Sequence, residues 1–221
     1  MYDYRGIDGT GTASSPATGS NQVSYVIRKL ADGNCWMSEN LKLTLSTSHA
    51  YEVATFSGGT ASWTPNGDAS GNDYNEAINA NTKVNANGGN WYYPWYAATA
   101  GQGTNTASPT ISQSICPKSW KLPNGGTNAA PSFQSLATAY SIGDNSAGST
   151  KLQSVPLSFY YTGYYSSGQI YDNSYGYKWS ANPNTNDNIR AYSLSFRSDN
   201  VYSQHYIAKF YGIPVRCVAI P

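Results

Sequence analysis

Few residues of this chain have the chemistry that catalysis or metal binding requires. Only two histidines, His49 and His205, could act as bases near neutral pH, and no recognisable nucleophile motif accompanies either of them. The 12 acidic residues are scattered without the spacing of a calcium-binding loop, and no glycine-rich segment has the spacing of a phosphate loop. We therefore expect no enzymatic activity, no bound metal and no other cofactor.

The three cysteines, Cys35, Cys116 and Cys217, lie far apart in the sequence. None of them belongs to a Cys-x-x-Cys pair, which argues against zinc and favours one long-range disulfide with a leftover thiol. Such a bond forms in an oxidising compartment, so the cysteines favour an extracellular or cell-surface location. The alternative is three buried, reduced thiols in a cytosolic protein.

The segment from Trp179 to Val218 has the composition of a binding surface. Apolar positions recur through it, and Asn, Asp, Ser, Tyr, Arg and His fill the positions between them. Tyr provides a large, rigid contact area, and Ser and Asn provide adaptable hydrogen bonds, so these residue types predominate in recognition loops. We expect nine residues to be exposed on one face and to bind ligand: Asn184, Asn186, Asn188, Tyr192, Arg197, Asp199, Tyr202, His205 and Tyr206.

A hairpin is the element that must position these residues. Residues 191–202 alternate between apolar and polar types, and Ser198-Asp199-Asn200 has the composition of a turn. Alternation with a period of two predicts that core positions and recognition positions separate by strand face. The residues expected to be buried beneath the recognition surface are Trp179, Leu194, Phe196 and Val215.

The rest of the chain favours short strands and ordered loops over helices, because Gly, Ser, Thr and Asn are abundant and only 11% of residues are charged. Residues 9–22 are small and polar, so we predict that residues 1–22 are a linker or N-terminal lead-in before one domain at 23–221. Residues 44–90 are too polar for a core and predict one long excursion, with a short helix at 74–81.

Three further elements follow from local patterns. Residues 23–30 and 35–37 have strand character on either side of the turn Asp32-Gly33-Asn34. Residues 131–140 have helical spacing, with Pro131 in the first turn. Alternation from Val215 to Ala219 predicts a final strand.

Charge and hydropathy exclude two classes of partner. The formal net charge of +1 argues against nucleic-acid binding, which needs clustered Lys and Arg. No apolar run approaches the roughly 18–20 residues of a membrane span, and residues 1–22 lack the basic and apolar regions of a secretory signal. We expect no nucleic-acid partner, and membrane association only through an anchor outside this chain.

Three blocks occur in the order DGNCWMSENL at 32–41, ICPKSWKLP at 115–123 and GIPVRCV at 212–218. Together they resemble the Fibrobacter succinogenes major paralogous domain, a family of bacterial surface domains. The resemblance covers residues 23–219 and implies an α+β, C-type-lectin-like fold related to the formylglycine-generating-enzyme domain. That fold has small antiparallel sheets, one or two helices and extensive ordered loops.

The same blocks bear on the cysteines and on catalysis. Cys116 and Cys217 lie in blocks that begin or end core elements, so we predict that they are bridged and that Cys35 is the free thiol. The catalytic cysteines of the formylglycine-generating relatives have no matching motif in this chain. Their activity is therefore not expected here.

The segment from Trp179 to Cys217 is also similar to the variable region of proteins diversified by retroelements. In such proteins template adenines are randomised, so that Asn-type codons become Tyr, Ser, Asp, His and related codons. From Ser180 to Ser203 there is no Lys, Glu, Gln, Trp or Met, which this randomisation cannot reach. The alternative is an ordinary surface domain with a polar C-terminal hairpin.

The sequence thus favours a secreted or cell-surface ligand-binding domain with a diversified C-terminal recognition surface. Its expected partner is a protein or glycan ligand on another cell or on a phage surface. The first alternative is a structural or adhesive cell-envelope module without a discrete ligand site, and the second is an enzyme of the formylglycine-generating type. An adjacent reverse transcriptase gene and a near-identical noncoding copy of the last coding segment would establish diversification.

Overall fold

The computed structural model describes residues 1–46, 48–65, 91–103, 109–126 and 129–220. Within them the chain is a mixed α+β fold of small antiparallel sheets with three short α-helices, as the composition predicts. The helices are α1 (Trp95–Ala98), α2 (Phe133–Ala139) and α3 (Ser146–Gln153). The predicted helix at 74–81 lies outside the described residues.

The strands of the described residues form five small sheets, with the orders β1-β2, β3-β4-β14-β8, β6-β5-β7, β9-β10 and β11-β12-β13. All their pairings are antiparallel. The strands are β1 (Tyr2–Asp3), β2 (Val23–Ser24), β3 (Ile27–Lys29), β4 (Cys35–Met37), β5 (Tyr51–Thr55), β6 (Thr60–Trp63), β7 (Gln113–Ser114), β8 (Trp120–Lys121), β9 (Tyr164–Ser166), β10 (Gln169–Tyr171), β11 (Gly176–Pro183), β12 (Arg190–Arg197), β13 (Asn200–Ala208) and β14 (Val218–Ala219).

The β11-β12-β13 sheet is buried on both faces. One face carries Trp179 and Ala191, which pack in a large core together with Trp95 and Val215. The other face carries the side chains that pack on helices α2 and α3: Leu194, Phe196 and Val201 against Phe133, Leu136 and Leu152. The four residues predicted to be buried are buried. The prediction that core and recognition positions separate by strand face is wrong, because the face of Ser193 and Ser195, which the alternation assigned to solvent, is buried together with Trp179.

The disulfide joins Cys116 to Cys217, with 6.0 Å between their Cα atoms, and Cys35 is free, as predicted. It connects the segment before β8 to the segment before β14 across 101 positions of sequence. A closed loop of this length contributes up to about 4.7 kcal/mol in the chain-entropy account. Disulfides are typical of proteins in oxidising compartments. No helix in the described ranges is long and apolar enough to cross a membrane.

Residues 1–22 are part of the packed structure, although their composition predicts a linker. β1 pairs with β2, and Asp3 and Arg5 are 2% and 1% exposed. The Arg5 guanidinium bonds the Asp3 carboxylate at 2.8 and 3.0 Å and also donates to the carbonyls of Glu52, Ile115 and Cys116. The buried ion pair thus ties the N-terminus to β5 and to the disulfide.

Three other sequence expectations need correction. Residues 51–63 form a hairpin with buried Tyr51 and Val53, so the part of the 44–90 segment that the structure describes contributes to the core. Pro131 precedes the N-cap residue of α2, Ser132, instead of occupying the first helical turn. The final strand covers only Val218–Ala219, because the preceding residues form single backbone hydrogen bonds, from the Leu41 and Met37 N–H groups to the Val215 and Cys217 carbonyls, instead of a ladder.

Replacing Asp3 by Asn should cost about 3–5 kcal/mol of unfolding free energy, because it leaves a buried guanidinium without its carboxylate. Urea denaturation measures the loss. Lys42→Gln is the control, since the Lys42–Glu39 pair is long, at 3.8 Å, and reached by solvent, so its loss should cost less than about 1 kcal/mol. Equal losses in the two variants would show that the buried pair does not anchor the N-terminus.

Candidate ligand-binding surface

The predicted C-terminal hairpin is present and consists of β12 and β13. Arg197 pairs with Asn200, so the turn contains only Ser198 and Asp199. Farther along, Ser195 pairs with Tyr202 and Ser193 pairs with His205, so β13 has one residue more than β12 between these pairs. This β-bulge places Tyr202 and His205 on the same face although they are three positions apart.

Four aromatic side chains form a continuous row on this hairpin, which we call the aromatic edge: Tyr192, Tyr202, His205 and Tyr206. Ring centroids are 6.2 Å apart for Tyr202–His205, 5.9 Å for His205–Tyr206 and 6.5 Å for Tyr192–Tyr206. Tyr202 and Tyr206 are 44% and 46% exposed, whereas most large side chains of the sheet are buried. β13 is the outer strand of its sheet, so the aromatic edge lies where the sheet ends.

Tyr192 is half-buried because it packs on two glycines of the segment before α2. A Cβ atom at Gly126 would lie 2.3 Å from the Tyr192 ring, and one at Gly125 would lie 2.5 Å from the Tyr192 Cβ. Gly126 also has a φ of +66°, which favours glycine. The glycines therefore allow a close approach that holds Tyr192 in place beside Tyr206.

The loop that precedes β12 is built by its own polar side chains. Asn184 is only 3% exposed, and its side-chain oxygen accepts from the backbone N–H of Asn186 at 3.0 Å. The Asp187 carboxylate accepts from the backbone N–H groups of Ile189 and Arg190 at 2.9 and 2.7 Å. Such bonds shape a turn and occupy the oxygens that a ligand would need. The prediction that Asn184 is exposed is therefore wrong.

Lys209 supports the same loop from its buried side. Its side chain is fully buried, donates from Nζ to the Asn188 carbonyl at 2.8 Å and lies 5.0 Å from the Trp95 ring centroid. Burial lowers the pKa of Lys209 to about 8, while nearby Asp187 opposes that change. A lysine in this position supports the exposed loop and is not itself available to a ligand.

Arg197 and Asp199 lie at the turn of the hairpin. Arg197 Nε donates to the Asp199 carboxylate at 2.7 Å, and its guanidinium also donates to the Tyr175 hydroxyl at 2.7 Å. Tyr175 stacks on Tyr177, whose ring centroid lies 6.4 Å from that of His205. A series of aromatic contacts therefore connects the turn to the aromatic edge.

The structure brings most of the predicted recognition residues to the surface. The exposed ones are Asn186, Asn188, Asp199, Tyr202 and Tyr206, and the half-buried ones are Tyr192, Arg197 and His205. Sequence reasoning missed Ile189, which is 49% exposed, and Arg190, whose guanidinium lies 5.4 Å from the Tyr206 ring centroid. Arg190 shares a strand face with Tyr192 by alternation, and that signal could have identified it.

His205 lies at the centre of the aromatic edge and is neutral near pH 7. Burial lowers its pKa, and the positive charge of Arg190 lowers it further. Its Nδ1 atom is buried and has no hydrogen-bond partner among the described residues. The neutral ring can therefore pack between two tyrosines without placing a charge next to Arg190.

The surface offers aromatic faces, hydroxyls, amides and two arginines, which suit stacking and hydrogen bonding. The described residues contain no group of three or more His, Cys, Asp or Glu side chains that could hold a metal ion.

Comparison of the chain with protein-family models, with curated proteins and with solved structures found no match in any of the three.

Acidification should destabilise the protein through His205. The unfolded chain takes up a proton near pH 6.5, whereas the folded imidazole resists protonation, so stability falls as the pH drops below that value. We expect the wild type to lose up to about 1 kcal/mol more than His205→Phe between about pH 7.5 and about pH 5.5, measured by urea denaturation. Equal losses would mean that the folded protein does not keep His205 neutral.

Proposed function

We propose that this chain is a secreted or cell-surface ligand-binding domain and that the aromatic edge and the 184–190 loop are its recognition surface. The proposal rests on one observation above all. Exposed Tyr202 and Tyr206 lie in a continuous aromatic row on a sheet whose two faces are otherwise buried. Rigid aromatic side chains on a rigid support bind with little loss of conformational entropy.

The finer fold assignment is part of the same proposal. We infer a C-type-lectin-like fold related to the Fibrobacter succinogenes major paralogous domain. The small antiparallel sheets support it, and so does the disulfide, which connects two of the three sequence blocks that carry the resemblance. The free Cys35 lies in the third block.

Diversification of the C-terminal segment by a retroelement belongs to this proposal as well. Most of the positions that would vary are exposed in the loop and on the outer strand, where substitutions usually change stability by less than about 0.5 kcal/mol. Asn184 is the exception, since its side chain shapes the loop. An adjacent reverse transcriptase gene with a near-identical noncoding copy of the last coding segment would support this part, and a genomic locus without them would contradict it.

The double variant Tyr202→Ala with Tyr206→Ala should lose binding at least tenfold and leave the melting temperature almost unchanged, because both rings are exposed. Binding is measured with fluorescently labelled protein on a printed glycan array and, by flow cytometry, on a panel of bacterial cells and phages. Tyr160→Ala is the control, since Tyr160 is 42% exposed but lies outside the recognition surface.

Two outcomes would contradict the proposal. Equal binding by the double variant and the wild type would place the ligand site elsewhere on the chain. Wild-type protein that binds none of the glycans, cells or phages would favour a structural or adhesive module without a discrete ligand site.

A further inference from the structure

A second concave site lies where the N-terminal loop faces the β5–β6 hairpin. It is a cavity of about 370 Å³, lined by Gly9, Thr10, Gly11, Thr12, His49, Ala50, Glu52, Thr60, Ala61 and Ser62. This volume falls within the range of small-molecule sites. None of the residues of the proposed recognition surface lines this cavity, so it would be a separate site.

The loop that forms one wall of the cavity is rigidly held. Gly9 has a φ of +72°, and a Cβ atom there would lie 2.3 Å from the Tyr51 ring. A Cβ atom at Gly11 would lie 2.0 Å from the Tyr4 carbonyl oxygen. The Asp8 carboxylate accepts from the backbone N–H and the hydroxyl of Thr10 at 2.9 and 2.8 Å. The wall is therefore formed before any ligand arrives, which lowers the entropic cost of binding.

The opposite wall is the β5–β6 hairpin, whose backbone is held by bonds from the core. Glu52 pairs with Ser62 across β5 and β6, so their side chains lie next to each other on one face. The backbone of Glu52 is fixed from the core, because its carbonyl accepts from the buried Arg5 guanidinium at 2.9 Å. His49 Nε2 lies 3.0 Å from the Gly9 carbonyl oxygen, to which it donates, and thus bridges the two walls.

The described lining of the cavity carries a negative charge. Among the described residues Glu52 is the one carboxylate that lines the cavity, and none of the lining residues is Lys or Arg. Among the described residues the Glu52 carboxylate has no hydrogen-bond or ion-pair partner. Asp8 adds a second negative charge next to Gly9. Its burial opposes ionisation, but hydrogen bonds from Thr10 and Asn21 outweigh that effect and lower its pKa.

We propose that this cavity binds a cationic nitrogen group, a primary ammonium or a guanidinium, with the Glu52 carboxylate as its counter-ion. The threonine and serine hydroxyls of the lining accept the remaining N–H bonds. Among the described lining residues, one carboxylate and one imidazole are too few ligands for a typical metal site, and there is no Trp, Tyr or Phe ring on which a sugar could stack. The group can come from a free amine or from a basic side chain of a peptide.

Amide NMR spectra of the full chain test this proposal. The probes are n-butylammonium, N-acetyl-lysine methylamide and N-acetyl-arginine methylamide, with glucose and acetate as neutral and anionic comparisons. The cationic probes should shift the amide signals of Gly9, Gly11, Ala50 and Glu52 in a saturable manner, and glucose and acetate should not. Binding of n-butylammonium would identify a free amine as sufficient, and binding of the amino-acid derivatives alone would identify a basic peptide.

The Glu52→Gln variant should weaken binding of the cationic probes at least tenfold without changing the melting temperature. Asp172→Asn is the matched control, because it removes the same charge from an exposed turn outside the cavity. Equal affinity in Glu52→Gln and wild type, binding of glucose in preference to the cations, or no shift with any cationic probe would each overturn the proposal.

Discussion

Burial of the β11-β12-β13 sheet on both faces is the constraint on which the rest of this structure depends. Trp179 and Ala191 fill the core on one face, and Leu194 and Phe196 fill the core against α2 and α3 on the other. A residue of this sheet can therefore be substituted without loss of stability only where the covering elements end. Those places are the outer strand β13, the turn of the hairpin and the loop at 184–190, and they contain the exposed aromatic and polar side chains.

A second set of interactions, outside this sheet, joins segments that are far apart in the sequence. The disulfide secures the segment before β14, and the Asp3–Arg5 pair connects the N-terminus to carbonyls next to Cys116. The disulfide and the hydrogen bonds from Arg5 to the Ile115 and Cys116 carbonyls are buried, and each joins residues more than 100 positions apart in the sequence. Many loops of this chain can therefore be ordered although helices and long strands are scarce.

Short sequence patterns correctly predicted the turns, strands and helices that depend on neighbouring residues. Ser198 and Asp199 form the expected turn, residues 35–37 form a strand after a turn with Gly33 at a φ of +82°, and α2 begins close to Pro131. Asn145 caps α3, which the sequence analysis missed because its residues have almost no apolar periodicity. The disulfide was correctly predicted from the blocks that contain its two cysteines.

The failed expectations share a different cause, because each depends on contacts between distant segments. Alternation shows that a strand has two kinds of face, but it does not show that the polar face of Ser193 and Ser195 is buried against the core that contains Trp179. Composition makes residues 1–22 look like a linker, although Asp3 and Arg5 neutralise each other in the core. Asn184 has the residue type of a recognition loop, and only its bond to the Asn186 backbone shows that it shapes the loop.

The central claim is that exposed positions of the hairpin and of the 184–190 loop tolerate substitution because they lie on a buried sheet. The most direct test uses two displayed libraries of equal size that are sorted for resistance to protease. The first library randomises Asn186, Asn188, Arg190, Tyr202 and Tyr206. The second randomises Trp179, Ser193, Leu194, Ser195 and Phe196. The account predicts that most members of the first library stay folded and that few members of the second do. Equal survival of the two libraries would contradict it.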